Sequence, residues 1–370
     1  MNPKIININE NKDNTLQFTL KDVNVSIANS IRRILLSEVP VIILRTTPYE
    51  KNKVNIITNT SRLNNEIIKQ RLSCIPIMIN DMTFPLDKYQ LEIDKKNNSD
   101  QIDFVTTNDI VIRDIQTGNY LKDSEVRKLF PVDSITLDPI DIVRLRPKIL
   151  NNFDGEHLKL TATFDIGTAK QDGAFNVVST CSYAMSPDNL KIKKAWKLEE
   201  QKYKKEKIDQ NIIEYKKQDW LLLNAQRQYI ENSFDFIIET IGQYTNRELI
   251  KISCEIMINK LKTLKDNLQN DQSIIKESNT TIENCYDIIL NNECYTMGKA
   301  VEYMLYETYY IDEKNKILTF CGFKKPHPLI DKSVIRVGFI ESTDIPKLIE
   351  YFTICCDKLI KIYASISNQI

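Results

Sequence analysis

Few residues in this chain of 370 could do covalent or metal chemistry by type: His157, His327, and eight cysteines at positions 74, 181, 254, 285, 294, 321, 355 and 356. A nucleophilic pair would have to be built from Cys74, Cys181 or Cys294 with one histidine, and none of the three stands in a catalytic context. No cysteines show C-x-x-C spacing, so neither a zinc ribbon nor a redox pair is expected. They read instead as core thiols of a reducing compartment. His327 lies in a Pro-His-Pro turn and reads as a hydrogen-bonded structural group. A phosphate loop or dinucleotide turn needs glycines where backbone meets phosphate, and the eight glycines form no such run. No paired-carboxylate motif is present. The chain is therefore not expected to be an enzyme, and neither metal nor cofactor is called for.

Binding chemistry is better represented. Asn29, Arg32 and Arg33 form a polar patch on a helix expected from an Asp22 cap to about Glu38, ahead of Pro40. Ile27, Ile31, Ile34 and Leu35 mark its buried stripe, and Ala28 allows close approach of a neighbour. The two arginines lie off that stripe, so replacing both with Ala is expected to cost at most about 1 kcal/mol of stability. A guanidinium keeps its charge when desolvated and grips carboxylates with a planar fork. The following segment, NTSRLNNEIIKQRLSCIPI, adds Glu66 and Arg71.

The composition suits a globular protein, with 42% hydrophobic residues and 50 basic against 50 acidic side chains. A net charge of zero argues against gripping phosphate backbones as the main task. No run of about 20 apolar residues exists, and MNPKIININENKDN lacks a signal-peptide core, so a soluble intracellular protein without membrane contact is expected.

VIILRTT reads as a strand over residues 41 to 47, and short strands and turns from about Met82 to Asn152 read as a β-rich insertion. HLKLTATF alternates, with Leu158, Leu160, Ala162 and Phe164 on one side. The NVVSTCSYAMSP strand follows, after a DIGTAKQDGAF turn. Residues 187 to 232 predict a charged surface helix, and FDFIIETIG a strand. From Asn246 a helix carries Ile250, Cys254, Met257, Leu261, Leu264 and Leu268 at intervals of 4, 3, 4, 3 and 4. Leu348, Phe352, Cys355, Leu359, Ile362 and Ile366 repeat those intervals near the end of the chain. At 1.5 Å per residue, two stripes of about 18 residues run roughly 27 Å each, so mutual packing is expected.

The last hundred residues read as a second, compact copy of the design. A strand (TIENCYDIIL) leads to a helix capped by Thr296, with Met297, Ala300, Val301, Met304 and Leu305 inward. The strands ILTFCGF and SVIRVGFI and the second seam helix follow. Gly298, in the first turn, permits close approach of another backbone.

Asn29, Arg32 and Arg33 fit an N-x-x-R-R motif, and Asn59, Thr60, Ser61, Glu66, Ile68, Arg71, Leu72, Ile75 and Pro76 fit the N-T-S … E-x-I … R-L … I-P segment after it. On these motifs the chain resembles the alpha-like assembly subunits of multisubunit RNA polymerases: bacterial alpha, its archaeal D counterpart and the third subunit of polymerase II. Thr296, Met297, Gly298, Lys299, Val301 and Leu305, with Phe320, Gly322, Phe323, Lys324, His327 and Pro328, resemble the archaeal L subunit and the eleventh subunit of polymerase II. The resemblance implies a fusion of the two, similar to those of large cytoplasmic DNA viruses. It implies an α+β fold of two dimerisation modules in one chain: residues 1–50 with 158–270, interrupted by an insertion at 51–157, then 271–370. It implies a non-catalytic platform docking the largest and second-largest polymerase subunits through Asn29, Arg32, Arg33, Glu66 and Arg71, together with small assembly subunits. DNA and RNA would be reached only through the complex, and no homodimer is expected. The family's cysteine zinc loop is missing, since no cysteine lies between Ile75 and Thr180. The expected setting is a viral factory and virion, or the nucleus if cellular. The alternative is a nucleic-acid-binding accessory transcription factor using the basic 191–217 stretch.

Overall fold

The chain starts in one compact unit, leaves it near Leu36 for a second, and returns near Thr180. The computed structural model describes residues 1–11, 14–148 and 154–370. Residues 12 and 13 of the amino-terminal segment and 149–153 of the expected insertion lie outside the described residues.

Strands β1 (Lys4–Glu10) and β2 (Thr15–Lys21) pair antiparallel, and β2 buries Leu16, Phe18 and Leu20 by alternation. Helix α1 (Val25–Ser37) buries Ile27, Ala28, Ile31, Ile34 and Leu35. Asn24 starts it, not Asp22. The Asn24 side chain accepts from the Ser26 N–H at 2.9 Å, and its carbonyl accepts from Ile27 and Ala28. A cap must sit next to the first helical residue. Asp22 is too early, with a left-handed backbone at φ 62°.

The second unit comprises residues 36–179 and 240–245. It begins with β3 (Pro40–Ile43), β4 (Val54–Asn59), α2 (Asn65–Ser73) and β5 (Tyr89–Lys96). Next come β6 (Asp103–Thr106), β7 (Val111–Asp114), α3 (Asp123–Leu129) and β8 (Asp141–Leu145). Strands β9 (His157–Thr163) and β10 (Asp165–Thr168) close it. A four-stranded sheet in the order β4-β9-β5-β7 is accompanied by the pairs β6–β8 and β3–β10. Strand β3 is shorter than the expected 41–47 because its partner runs out: Pro40–Ile43 faces Asp165–Thr168. Leu158, Leu160, Ala162 and Phe164 all lie in this unit's core. The DIGTAKQDGAF segment, expected as a turn, contributes β10, where Gly167 leaves room for Ile43 and Phe175.

On returning, the chain forms β11 (Val178–Pro187), α4 (Asn189–Lys205), α5 (Gln210–Leu222), β12 (Tyr229–Thr240) and α6 (Asn246–Asn270). The order β1-β2-β12-β11 makes a four-stranded sheet, with Phe18 stacked on Phe236 at 5.0 Å. The charged segment is a hairpin of two helices rather than one helix. Lys207 turns the chain at φ 56°, the Asp209 side chain caps α5, and the helices enclose Trp196, Ile213 and Trp220.

The remaining elements are β13 (Ile275–Glu277), β14 (Cys285–Asn291), α7 (Tyr295–Tyr306), β15 (Leu318–Lys324), β16 (Lys332–Phe339) and α8 (Ile345–Ser367). They supply a second four-stranded sheet, β13-β14-β16-β15, with α7 packed on β15 and β16. The segment joining the two expected modules is therefore largely ordered, because α6 runs to Asn270 and Ile275 pairs with Ile288. Both sheets and the helices α1, α6, α7 and α8 fall in the first unit, apart from terminal residues such as Leu36 and Thr240. Residues 36–50 and 158–179, expected with the first module, group with the insertion.

Candidate functional site

Helices α6 and α8 pack against each other along their apolar stripes. Ile250, Cys254, Met257, Leu261, Leu264 and Leu268 are buried on α6, and Leu348, Phe352, Cys355, Leu359, Ile362 and Ile366 on α8. Repeating 4-3 spacing keeps each stripe on one helical face, so each helix has a continuous apolar face to bury. Lys265 on α6 and Asp357 on α8 form an ion pair beside the apolar contact. Burial pushes the Cys254, Cys355 and Cys356 thiols up to about 12, as expected of protonated core groups.

Helix α1 joins this bundle through two polar contacts. The Ser30 hydroxyl lies 2.6 Å from the Tyr363 hydroxyl of α8, both buried. Ser30 sits on the apolar face of α1, and a buried hydroxyl needs a partner. That rule flags Ser30 in the sequence but does not say which residue answers it. The second contact involves Arg33, which the sequence leaves facing outward. Its Nε donates to Thr296 Oγ1 of α7 at 2.9 Å, and its Nη2 lies 3.6 Å from the Cys294 sulfur. Thr296 is 3% exposed and does not cap α7; Cys294 holds the cap position without a side-chain cap bond. The Thr296 hydroxyl is committed to Arg33 instead. Burial raises the Cys294 thiol, but bonds with Thr296 and the Arg33 guanidinium outweigh it and hold the thiol below its ordinary range.

The remaining patch residues are dispersed. Arg32 Nε donates to Asn29 Oδ1 at 3.0 Å, so these two stiffen each other on one turn of α1. Glu66 is exposed in the first turn of α2, and Arg71, in its last turn, donates to the Asp141 carbonyl at 2.7 Å. Gly298 admits an aromatic ring rather than a backbone: a Cβ there would lie 2.0 Å from Phe323 Cε2. His327 accepts the Leu329 N–H at Nδ1, a structural role inside its turn. Among the described residues no three His, Cys, Asp or Glu side chains converge as metal ligands, and no helix is long and apolar enough to cross a membrane.

The paired seams and the α1–α7 contact make this a surface-burying site, without groups arranged for bond making. The RNA polymerase Rpb3/Rpb11 dimerisation domain matches residues 17–261, well over half of the chain. The chain belongs to this family. Among its relatives, DNA-directed RNA polymerase subunit Rpo3 of Archaeoglobus fulgidus is 28% identical over 188 residues, covering 50% of this chain and 61% of that subunit. Subunit 3 of RNA polymerases II, IV and V of Arabidopsis thaliana is 32% identical over 203 residues, covering 50% of this chain and 58% of that one. Against these two the chain spans less than two thirds of the relative's length. Rpo3 of Methanosphaera stadtmanae is 24% identical over 283 residues, covering 69% of this chain and 95% of that subunit. Within the Rpb3/Rpb11 match lie α1 and most of α6, whereas β13 to α8 lie beyond it.

Proposed function

We propose that this chain is an assembly subunit of a multisubunit DNA-directed RNA polymerase, in which two dimerisation modules pair within one polypeptide. The chain is non-catalytic, in keeping with a family of dimerisation domains. One observation carries the pairing: α6, most of which lies inside the family match, packs against α8, outside it, and the apolar stripes of both helices are buried. In this reading the segment from β13 to α8 takes the place of a separate partner chain. Its sheet of four strands with two helices parallels the sheet of β1, β2, β11 and β12 with α1 and α6.

The large catalytic subunits then dock on the solvent-reaching parts of the patch, Asn29 and Arg32 on α1 and Glu66 and Arg71 on α2. Arg33 serves the internal pairing first. In this reading the chain works in the viral factory and virion if it is viral, as its resemblance to fused subunits of large cytoplasmic DNA viruses suggests, and in the nucleus if it is cellular. The test is affinity purification of the tagged chain at rising salt. A stoichiometric complex with two large polymerase subunits that survives about 0.5 M salt supports the platform, whereas release with rising salt, scaling with phosphate contacts, supports a nucleic-acid binder. Recovery of the chain alone at all salt concentrations overturns the proposal.

A further inference from the structure

Four arginines line one surface cavity of about 310 Å³ in the second unit: Arg62, Arg71, Arg144 and Arg146. Arg62 precedes α2, Arg71 lies in its last turn, and Arg144 and Arg146 lie on and just after β8. Phe104 of β6 and Arg144 of β8 are direct cross-strand partners, which puts the ring and the guanidinium on the same face. Phe104 is 43% exposed, and Leu63 and Val143 add apolar lining.

The four charges are not equally engaged. Arg146 is answered by Glu156 at 2.6 Å. Arg71 meets only a neutral carbonyl, that of Asp141. Arg62 and Arg144 are exposed, and their side chains have no hydrogen bond or ion pair among the described residues. Three of the arginines lining the hollow thus have no carboxylate in ion-pair contact among the described residues, and an exposed aromatic ring lines it with them. Some other cations of this unit do find carboxylates: Lys95 with Asp103 and Asp109, Lys96 with Asp154, and Lys159 with Asp94.

We propose that this arginine-lined hollow is a docking site for an acidic protein segment, whose carboxylates take the Arg62, Arg71 and Arg144 forks while an adjoining apolar side chain packs on Phe104. Guanidinium forks match carboxylates bidentately and hold them when water is excluded. The hollow has room for only a few side chains, which suits a short segment better than a continuous phosphodiester track. The overall balance of 50 basic and 50 acidic residues also lacks the field that nucleic-acid binding uses. An acidic peptide is therefore favoured over RNA or DNA. This site stands beside the polymerase-docking reading and shares only Arg71 with it.

The test uses the full chain and three probes: a fluorescein-labelled peptide of alternating Glu and Leu with a central Phe, a single-stranded RNA of about 20 nucleotides, and inorganic phosphate. Fluorescence anisotropy at near-physiological salt should show saturable peptide binding that weakens at least tenfold in Arg62→Glu/Arg144→Glu. Arg62→Lys/Arg144→Lys, which keeps the charge but loses the fork, should fall between the two. Phe104→Ala should weaken binding with the charges intact. Peptide binding that is absent, or equal in the wild type and the double Glu variant, overturns the proposal. So does full displacement of the peptide by the RNA, which would make the hollow a nucleic-acid site, or by millimolar phosphate, which would make it a small-anion site. None of these outcomes depends on polymerase assembly.

Discussion

Arg33 Nε and Thr296 Oγ1 are 263 positions apart in the chain and 2.9 Å apart in space. The bond fastens a helix of the family-matched segment to one outside it, and it sets the first expectation. Arg33→Ala leaves the buried Thr296 hydroxyl without its charged donor, so stability should fall by about 1–3 kcal/mol. Arg32→Ala removes only a local contact on α1 and should stay within about 0.5 kcal/mol. Urea unfolding of both, with Thr296→Val closing a double-mutant cycle, checks this. A coupling near zero between Arg33 and Thr296 would show that the bond contributes nothing.

The seam makes the second expectation. Leu264 and Leu359 are buried on α6 and α8. An aspartate at each position puts two carboxylates into a desolvated stripe, at a cost of several kcal/mol. The free part of the tether is short, about residues 278–284 between β13 and β14. A protease site placed at the exposed Asn279–Thr280 should give two fragments that stay together on size exclusion. The Leu264→Asp/Leu359→Asp variant should separate after the same cleavage. Light scattering should find the intact wild type monomeric. Cleaved wild-type halves that drift apart would falsify the intrachain pairing.

These two contacts also divide what the sequence makes legible from what it does not. The seams are legible because one residue every three or four positions repeats over 19 residues, and a local period needs no tertiary knowledge. The β9 alternation is legible for the same reason. Arg33 escapes a reading of the sequence because a side chain off its own helix's stripe can still face a second helix, and chain position 296 gives no hint of that nearness. The α4–α5 hairpin reads as one helix because lysines and glutamates mask two tryptophans spaced too far apart for a helical repeat to join. The arginine hollow leaves no motif at all. Its residues come from a loop, a helix end and a strand, and only the fold brings them together.

The buried thiols give a pH expectation. Cys254, Cys355 and Cys356 stay protonated in the fold up to about pH 12, against an ordinary value of 9.0. Unfolded thiols ionise first as pH rises, which favours the unfolded chain. The thiol contribution is thus fully present below pH 9 and is lost progressively towards pH 12. By about pH 10.5 the loss should reach about 2 kcal/mol per thiol. Melting temperature measured from pH 8 upward should fall more steeply in the wild type than in Cys254→Ala/Cys356→Ala. Parallel slopes would mean that other groups carry the alkaline loss.

Gly298 gives the last. A methyl at this position would lie 2.0 Å from Phe323 Cε2 and 2.4 Å from Cδ2, distances no side chain tolerates without movement. The ring is braced by Tyr295, in an edge contact at 5.1 Å, so it has little freedom to retreat. Alanine in a helix gains about 1 kcal/mol over glycine, while overpacking a core costs about 1–3 kcal/mol. The clash should win, leaving Gly298→Ala less stable by about 1–2 kcal/mol. Phe323→Leu removes the obstructing ring edge, so adding Gly298→Ala to that background should be neutral or stabilising. If the alanine is equally harmful with and without the ring, the close approach of Phe323 is not what requires glycine there.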